Sequence, residues 1–406
     1  MFSKFANLNK YIEKLLLLIA FILPFSTPFG TPLIYLLVIM AIADKVLNKR
    51  SWPNLNTHAW LFLLWLLFAL ISISQSPKML ESFYNYRVLF TQYAGLYFVG
   101  LFYINTPDKL RNLIYATLTA SIFVAIYGIF QYVEGVNSLT SANKWVDFAE
   151  FPKLKARVFS TLSNPNLLAT FLLTAICMAT GCLLDRPKDK NIKYVLYIVL
   201  VVNLICLVLT FSRGAWLTLI VVMGLLGVLI NIRILYVLLG VLLVSFLSMR
   251  ELLVARISSV FSQTDTSAAL RWAYWDSTIQ MIEWNPWMGV GWSAYQYIYP
   301  EYDYFINNPE IVIYHAHNMY LNMLAELGII GGLVYISLFF YALYFLAKKY
   351  RNTTKDKGCI IAVMSSVLVM MLMGITDYPL FNIQLSCIFW LLMGATFGSF
   401  IKLNIK

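Results

Sequence analysis

The chain has 406 residues, 60% of them hydrophobic and only 12% charged, against roughly 25% charged in a soluble domain. Its mean hydropathy is +0.73, which excludes an ordinary soluble domain and fits a polytopic membrane protein. The net charge of +11 is no nucleic-acid signature, because the basic residues are spread between apolar runs rather than gathered in a soluble domain.

Apolar runs cover residues 14–27, 31–46, 59–76, 85–104, 111–132, 165–184, 193–210, 215–231, 233–249, 318–347, 358–377 and 382–402. They predict an all-α fold: one integral membrane domain over residues 1–406 with about twelve transmembrane helices. The first run follows Lys4, Lys10 and Lys14 as a signal peptide would. No small-x-small cleavage site follows, so it reads as an uncleaved first helix. Pro24, Pro28 and Pro32 interrupt the first two runs. With twelve spans and a cytoplasmic N-terminus, most of the 30 lysines and arginines fall in inner loops, notably Lys45, Lys49, Arg186, Lys188, Lys348 and Lys349. The positive-inside rule therefore places both termini in the cytoplasm.

Two outer segments are long, 133–164 and 250–317, the second lying between spans nine and ten. The second contains SAALRWAYWDSTIQMIEW, residues 267–284, where Leu270, Tyr274, Ser277, Met281 and Trp284 recur at helical spacing. This predicts an amphipathic helix against membrane lipids at the outer interface. The nearby tryptophans fit an interfacial aromatic belt. Cys177, Cys182, Cys206, Cys359 and Cys387 sit in or beside apolar runs and form neither a metal-ligand spacing nor a disulfide framework.

A small polar set on the outer face carries the chemistry. Arg213 lies in FSRGAW between two apolar runs, and Arg271 lies near the start of the predicted amphipathic helix. Arg157 begins RVFSTLSNPN, just before the sixth span, where Asn164 and Pro165 make a helix start. Each arginine has a plainer reading, as a snorkelling, headgroup-facing or cap-adjacent residue. Together they suggest an anionic ligand, since guanidinium binds phosphate bidentately. No Walker-type loop and no outer Asp-x-Asp pair is present, so a diphosphate would be neutralised by arginine rather than magnesium.

His315 and His317 stand at the mouth of the 318–347 run. A histidine titrates near neutrality, and one placed base contributes roughly 10²–10⁴-fold in rate. His317 is the candidate base; a surface histidine or a metal ligand is the plainer alternative. On an unbroken helix Leu321, Leu324, Gly328 and Gly331 would share the face of His317, with the glycines admitting a neighbouring helix. Glu326 would lie on the opposite face, hydrogen-bonded to a neighbouring helix. No third metal ligand is evident from the sequence. Asp377, in GITDYPLFN, could bind a sugar hydroxyl, orient the histidine, or simply end a helix.

His317-Asn318, nine residues, then Gly328-x-x-Gly331-Gly332 resembles the signature of bacterial O-antigen ligases. RVFSTLSNPN, FSRGAW and WNPWMGVGW resemble other segments of the O-antigen ligase and polymerase superfamily, over roughly residues 60–400. The resemblance implies a cofactor-free, metal-independent, inverting membrane glycosyltransferase of the GT-C class in the bacterial inner membrane. It would move a glycan from undecaprenyl diphosphate to lipid A–core on the periplasmic face. His317 would be the general base, and Arg213 and Arg271 would bind the donor diphosphate. Arg157 is added to the diphosphate set, and Asp377 and His315 to the acceptor or orienting set. A polymerase of the same superfamily is the alternative. A small-anion transporter is the alternative of another class, disfavoured by spans nearly free of buried charge and by the lack of an inverted repeat.

Overall fold

The computed structural model describes residues 8–49, 54–134, 157–261, 266–303, 305 and 312–401. The readings that rest on residues 1–7, 135–156 and 402–406, including the ends of the chain and most of the first long outer segment, lie outside these. Among the described residues there is no strand.

The helices are α1 (Leu8–Ile22), α2 (Thr27–Leu47), α3 (Thr57–Ser72), α4 (Met79–Val88), α5 (Ala94–Tyr103), α6 (Pro107–Val133), α7 (Pro165–Leu184) and α8 (Lys190–Leu209). Then come α9 (Arg213–Leu229), α10 (Ile232–Phe261), α11 (Thr266–Trp284), the single turn α12 (Tyr295–Ile298), α13 (Met319–Asn352), α14 (Lys357–Thr376) and α15 (Ile383–Phe400). Among the described residues eight helices are long and apolar enough to cross a membrane: α2, α3 with its 3-10 extension, α6, α7, α8, α13, α14 and α15. The twelve apolar runs all meet helical stretches, but four fall short of a full span by this measure. α1 and α9 have 15 and 17 residues. The 85–104 run is divided by a five-residue π turn, Leu89–Tyr93, between α4 and α5. Among the described residues α10 contributes an apolar stretch over Ile232–Leu247, and its helix runs on through residues 250–261 of the second long segment.

Helix starts follow side-chain capping. Asn56, Thr106, Asn164 and Asn382 each accept a backbone N–H from the first turn, relieving donors a helix N-terminus leaves unpaired. Pro107 and Pro165 follow two of these caps, where a missing N–H costs nothing. α7, α14 and α15 are the innermost spans. α7 meets α14 where Gly181 and Gly358 bring backbones so close that a Cβ on Gly358 would lie 2.2 Å from the Gly181 carbonyl oxygen. At that end of α14, Asp185 accepts the Gly358 and Cys359 N–H groups and Arg111 pairs with Asp356. α14 is thus pinned at one end while its other end delivers Asp377.

α13 is broken at Gly328, whose φ of 73° and ψ of 174° are not helical. The segment after α11 docks into the break. Ile329 N–H donates to the Pro286 carbonyl at 2.8 Å, Val290 N–H to Ala325 at 2.8 Å and Gly291 N–H to Glu326 at 3.1 Å. Backbone groups released by the break are therefore satisfied again. The unbroken helical face predicted from His317 through Gly331 does not form: His317 precedes the helix, and the register is lost at Gly328. Gly328 receives the Trp287–Met288 backbone, and Gly331 packs on Phe68 of α3. The partner of Glu326 is likewise this docked segment rather than a neighbouring helix, through Ser293 N–H at 3.0 Å.

α11 forms as predicted, but its faces differ. Ser277, Thr278 and Met281 are buried, whereas Trp272, Ile279 and Trp284 are exposed. The predicted stripe is buried at its centre and exposed at Leu270 and Trp284. Small hydroxyl side chains can enter the protein because each helical turn offers them a carbonyl, as Thr278 finds at Tyr274.

Candidate active site

Asn318 caps α13, accepting Tyr320 N–H and Leu321 N–H at 3.0 Å each. That cap ends the chain reversal on which His317 sits, in the left-handed region at φ 48°. A non-glycine residue there costs on the order of 1–3 kcal/mol, so surrounding contacts must hold it. Ala316 N–H supplies one, to Asn322 Oδ1 at 3.0 Å. The Tyr274 ring of α11 supplies another, stacked on the imidazole at 5.5 Å between centroids.

His317 Nδ1 lies 3.2 Å from Asp377 Oδ1. Burial by itself pushes the Asp377 carboxyl up, but the His317 hydrogen bond, the two histidines and the Tyr378 N–H outweigh it and hold the group below the ordinary carboxylate range. An ionised carboxylate only accepts, so Nδ1 is the donor, and in the neutral ring Nε2 is then the nitrogen with the lone pair. His317 N–H donates to His315 Nδ1 at 3.2 Å, which fixes the complementary tautomer on His315. Burial, with the adjacent His317, lowers His315 to about 3, so it stays neutral.

The other carboxylate oxygen leads to residues that sequence reasoning passed over. Asp377 Oδ2 accepts from Asn166 Nδ2 at 3.1 Å. Asn166 Oδ1 accepts from Arg157 Nη2 at 2.9 Å and from Ser212 Oγ at 3.0 Å. Arg157 also donates through Nε to the Thr210 carbonyl at 2.9 Å. Asn166 was visible only as part of a helix start, and Ser212 only as the neighbour of Arg213.

Arg271 Nε donates to the carbonyl of Thr376, the last residue of α14, at 2.9 Å. Arg213 is the first residue of α9, and next to it Gly214 abuts Thr376 Oγ1, which a Cβ would meet at 3.2 Å. The backbone around Thr376 and Asp377 therefore gathers what the sequence scattered: Arg157 through Asn166, Arg213 beside Gly214, Arg271 directly, and both histidines. Gly328 and Gly331 stand apart and act on the shape of α13.

His315, His317 and Asp377 offer ligand atoms within 4.8 Å of one another, a group that could hold a metal ion. The third ligand missing from the sequence reading is thus Asp377. In this geometry, however, His317 Nδ1 and His315 Nδ1 are already engaged with Asp377 and the His317 N–H.

An all-α bundle of long apolar helices defines a polytopic membrane protein, and at one end of its α14 a histidine–carboxylate pair and arginines are gathered. Residues 198–336, about a third of the chain, match the family model described as O-antigen ligase. That family implies a glycosyltransferase-like membrane enzyme of O-antigen synthesis, with lipid-linked glycan and lipid acceptor substrates. No curated protein matches the chain. The matched stretch contains Arg213, Arg271, both histidines, Asn318, Gly328 and Gly331, but not Arg157, Asn166 or Asp377.

Proposed function

We propose that the protein is an O-antigen ligase of the bacterial inner membrane, acting on the periplasmic face. It transfers a glycan from undecaprenyl diphosphate to a lipid A–core sugar with inversion and without a metal. The observation that carries this reading is the His317–Asp377 hydrogen bond, formed next to Thr376, whose carbonyl takes Arg271 and whose hydroxyl abuts Gly214 beside Arg213.

In the transfer step Nε2 of His317 takes the proton of the acceptor hydroxyl as its oxygen attacks the anomeric carbon of the donor. The bond from that carbon to the diphosphate oxygen breaks and its electron pair leaves on the diphosphate. Arg213 and Arg271 balance the charge that develops there, the work of fixed cationic donors aimed at a leaving group. Arg157 is a positioning residue: it holds Asn166, Asn166 holds Asp377, and Asp377 holds the base.

The test is His317→Ala in purified protein supplied with undecaprenyl-diphosphate glycan and lipid A–core. Transfer should vanish while donor binding persists, and EDTA should leave the wild-type rate unchanged. An active variant removes the base from the mechanism. Reversible EDTA inhibition, with equal loss in His315→Ala and His317→Ala, assigns the cluster to a metal instead. Extension of a second lipid-linked glycan in place of lipid A–core makes the protein a polymerase.

A further inference from the structure

Glu326 is a buried carboxylate in the part of α13 that precedes the break, and the transfer step above gives it no task. Three donors converge on it. Ser293 N–H donates to Oε2 at 3.0 Å, and the Tyr295 N–H and the Asn322 side chain donate as well. The oxygen of a glutamine could hold two backbone N–H groups. The third donor, one helical turn back on α13, calls for a group that only accepts.

Asn322 passes the contact on to the base. Its Nδ2 faces the carboxylate, and its Oδ1 accepts Ala316 N–H at 3.0 Å. Ala316 leads directly into His317, the residue held in the left-handed region. The carboxylate therefore fixes which way the buried Asn322 amide is turned, and that orientation supplies the acceptor for the peptide before the base. A second route runs through rings. Tyr295 stacks on Tyr299 at 5.5 Å between centroids, and its hydroxyl lies 2.8 Å from Thr278 Oγ1 of α11. Tyr299 packs edge-on against Tyr274 at 6.0 Å, and Tyr274 is the ring stacked on His317. These three tyrosines, with Ala316 and Ala325, belong to a buried apolar cluster separate from the main core of the bundle. The backbone support and the ring support of His317 thus both lead back to Glu326.

We propose that Glu326 is a positioning residue for His317, acting through Asn322 on the turn and through Tyr295, Tyr299 and Tyr274 on the ring. Asp377 sets where the proton of the imidazole sits, and Glu326 sets where the imidazole itself sits. The effect on rate rests on the reading of His317 as the base; the effect on the imidazole rests on these contacts alone. Misplacing a reacting group by about 1 Å can cost on the order of a hundredfold in rate, so a carboxylate that touches no substrate can still govern transfer.

The test uses the full chain in lipid nanodiscs with isotope-labelled histidine, read by nitrogen NMR and by transfer rate. The chain has three histidines, and the signals lost in His317→Ala identify those of His317. Glu326→Gln keeps the size but offers one acceptor oxygen, so its NH₂ meets a backbone N–H or the Asn322 amide; if Asn322 turns over in response, its own NH₂ meets Ala316 N–H. The His317 signals should move and broaden, and kcat should fall about tenfold to a hundredfold while donor KM holds. Asn322→Ala leaves the docked segment on the carboxylate; it should act the same way and covers the case in which Glu326→Gln misfolds. Combining Asn322→Asp with Glu326→Gln reverses the pair: the new carboxamide donates to the new carboxylate, which still accepts Ala316 N–H. That double variant should recover the wild-type signals and most of the rate. Unmoved His317 signals and a wild-type kcat in both single variants overturn the proposal. So does a lower Tm in Glu326→Gln with signals and kcat intact, which makes Glu326 a latch for the docked segment alone, and so does a reversed pair that recovers nothing. If His317→Ala still transfers, the base reading falls, while the His317 signals in Glu326→Gln continue to test the positioning.

Discussion

Asp377→Asn isolates the orientation of the base, because it alters hydrogen-bonding character with almost no change in size. Three donors converge on this carboxylate: His317 Nδ1 at 3.2 Å and Tyr378 N–H at 2.8 Å on one oxygen, and Asn166 Nδ2 at 3.1 Å on the other. A carboxamide accepts through one oxygen only. If its NH₂ faces Asn166, two donors meet, and an unpaired buried donor costs about 1–3 kcal/mol. If it faces His317, Nδ1 must become the acceptor, the proton moves to Nε2, and the base is lost. Transfer should then fall by roughly 10²–10⁴-fold, the worth of one placed base. The assay is the transfer rate of purified protein in nanodiscs at saturating donor, with donor KM as the control; kcat should fall and donor KM should hold. The variant also changes how stability follows pH. The folded carboxyl is held below its ordinary value, so it stabilises the fold above the ordinary range near 3.9 and loses that contribution as pH falls through it. The wild-type advantage in Tm over the variant should therefore be full at neutral pH and shrink below about pH 4. A variant that transfers within threefold of wild type refutes the orienting role.

Arg213→Lys and Arg271→Lys should lose nearly as much transfer as the alanine variants, since lysine keeps the charge but not the planar fork; wild-type rates with lysine at both positions would reduce the pair to diffuse positive charge. Gly328→Ala should lower Tm, because a Cβ would sit 2.3 Å from the Trp287 carbonyl oxygen at a φ that strains any L residue by about 1–3 kcal/mol; an unchanged melting curve would show that the docked segment yields freely. Glu301→Cys, on an exposed turn, should react with an impermeant thiol reagent once the outer membrane is permeabilised, while Lys355→Cys should react only after the inner membrane is opened. The reverse order would invert the topology and remove the periplasmic reaction.

Much of this was legible in the sequence because membrane helices announce themselves by length and hydropathy. The twelve runs locate twelve helical stretches, and Asn164-Pro165 marks a helix start where α7 begins. What the sequence concealed is what depends on distant partners. The break at Gly328 is stable only because residues 286–293 supply hydrogen bonds to it, and no local pattern encodes a donor some forty residues away. The left-handed turn at His317 belongs to the same class. So does the path from Arg157 to Asp377, whose ends lie more than two hundred residues apart in the chain. In α11 the predicted stripe is buried at Tyr274, Ser277 and Met281 and open at Leu270 and Trp284, because what covers each turn is set by other segments, such as Tyr295 and Tyr299, that the helix's own pattern does not encode.

Residues 198–336 carry the histidines and two of the arginines, yet the carboxylate that sets the histidine's tautomer arrives from α14, and the amide that steadies it from α7. The stretch recognisable as the family is therefore not a transplantable cassette. Grafted into another bundle, it would bring a histidine with no fixed proton and two arginines without the α14 end they face. Exchanging specificity between such proteins would have to move α7 and the α14–α15 corner as one piece with it, so that homologous chimeras should tolerate junctions at the end pinned by Arg111 and Asp185 and fail when they are cut near Thr376.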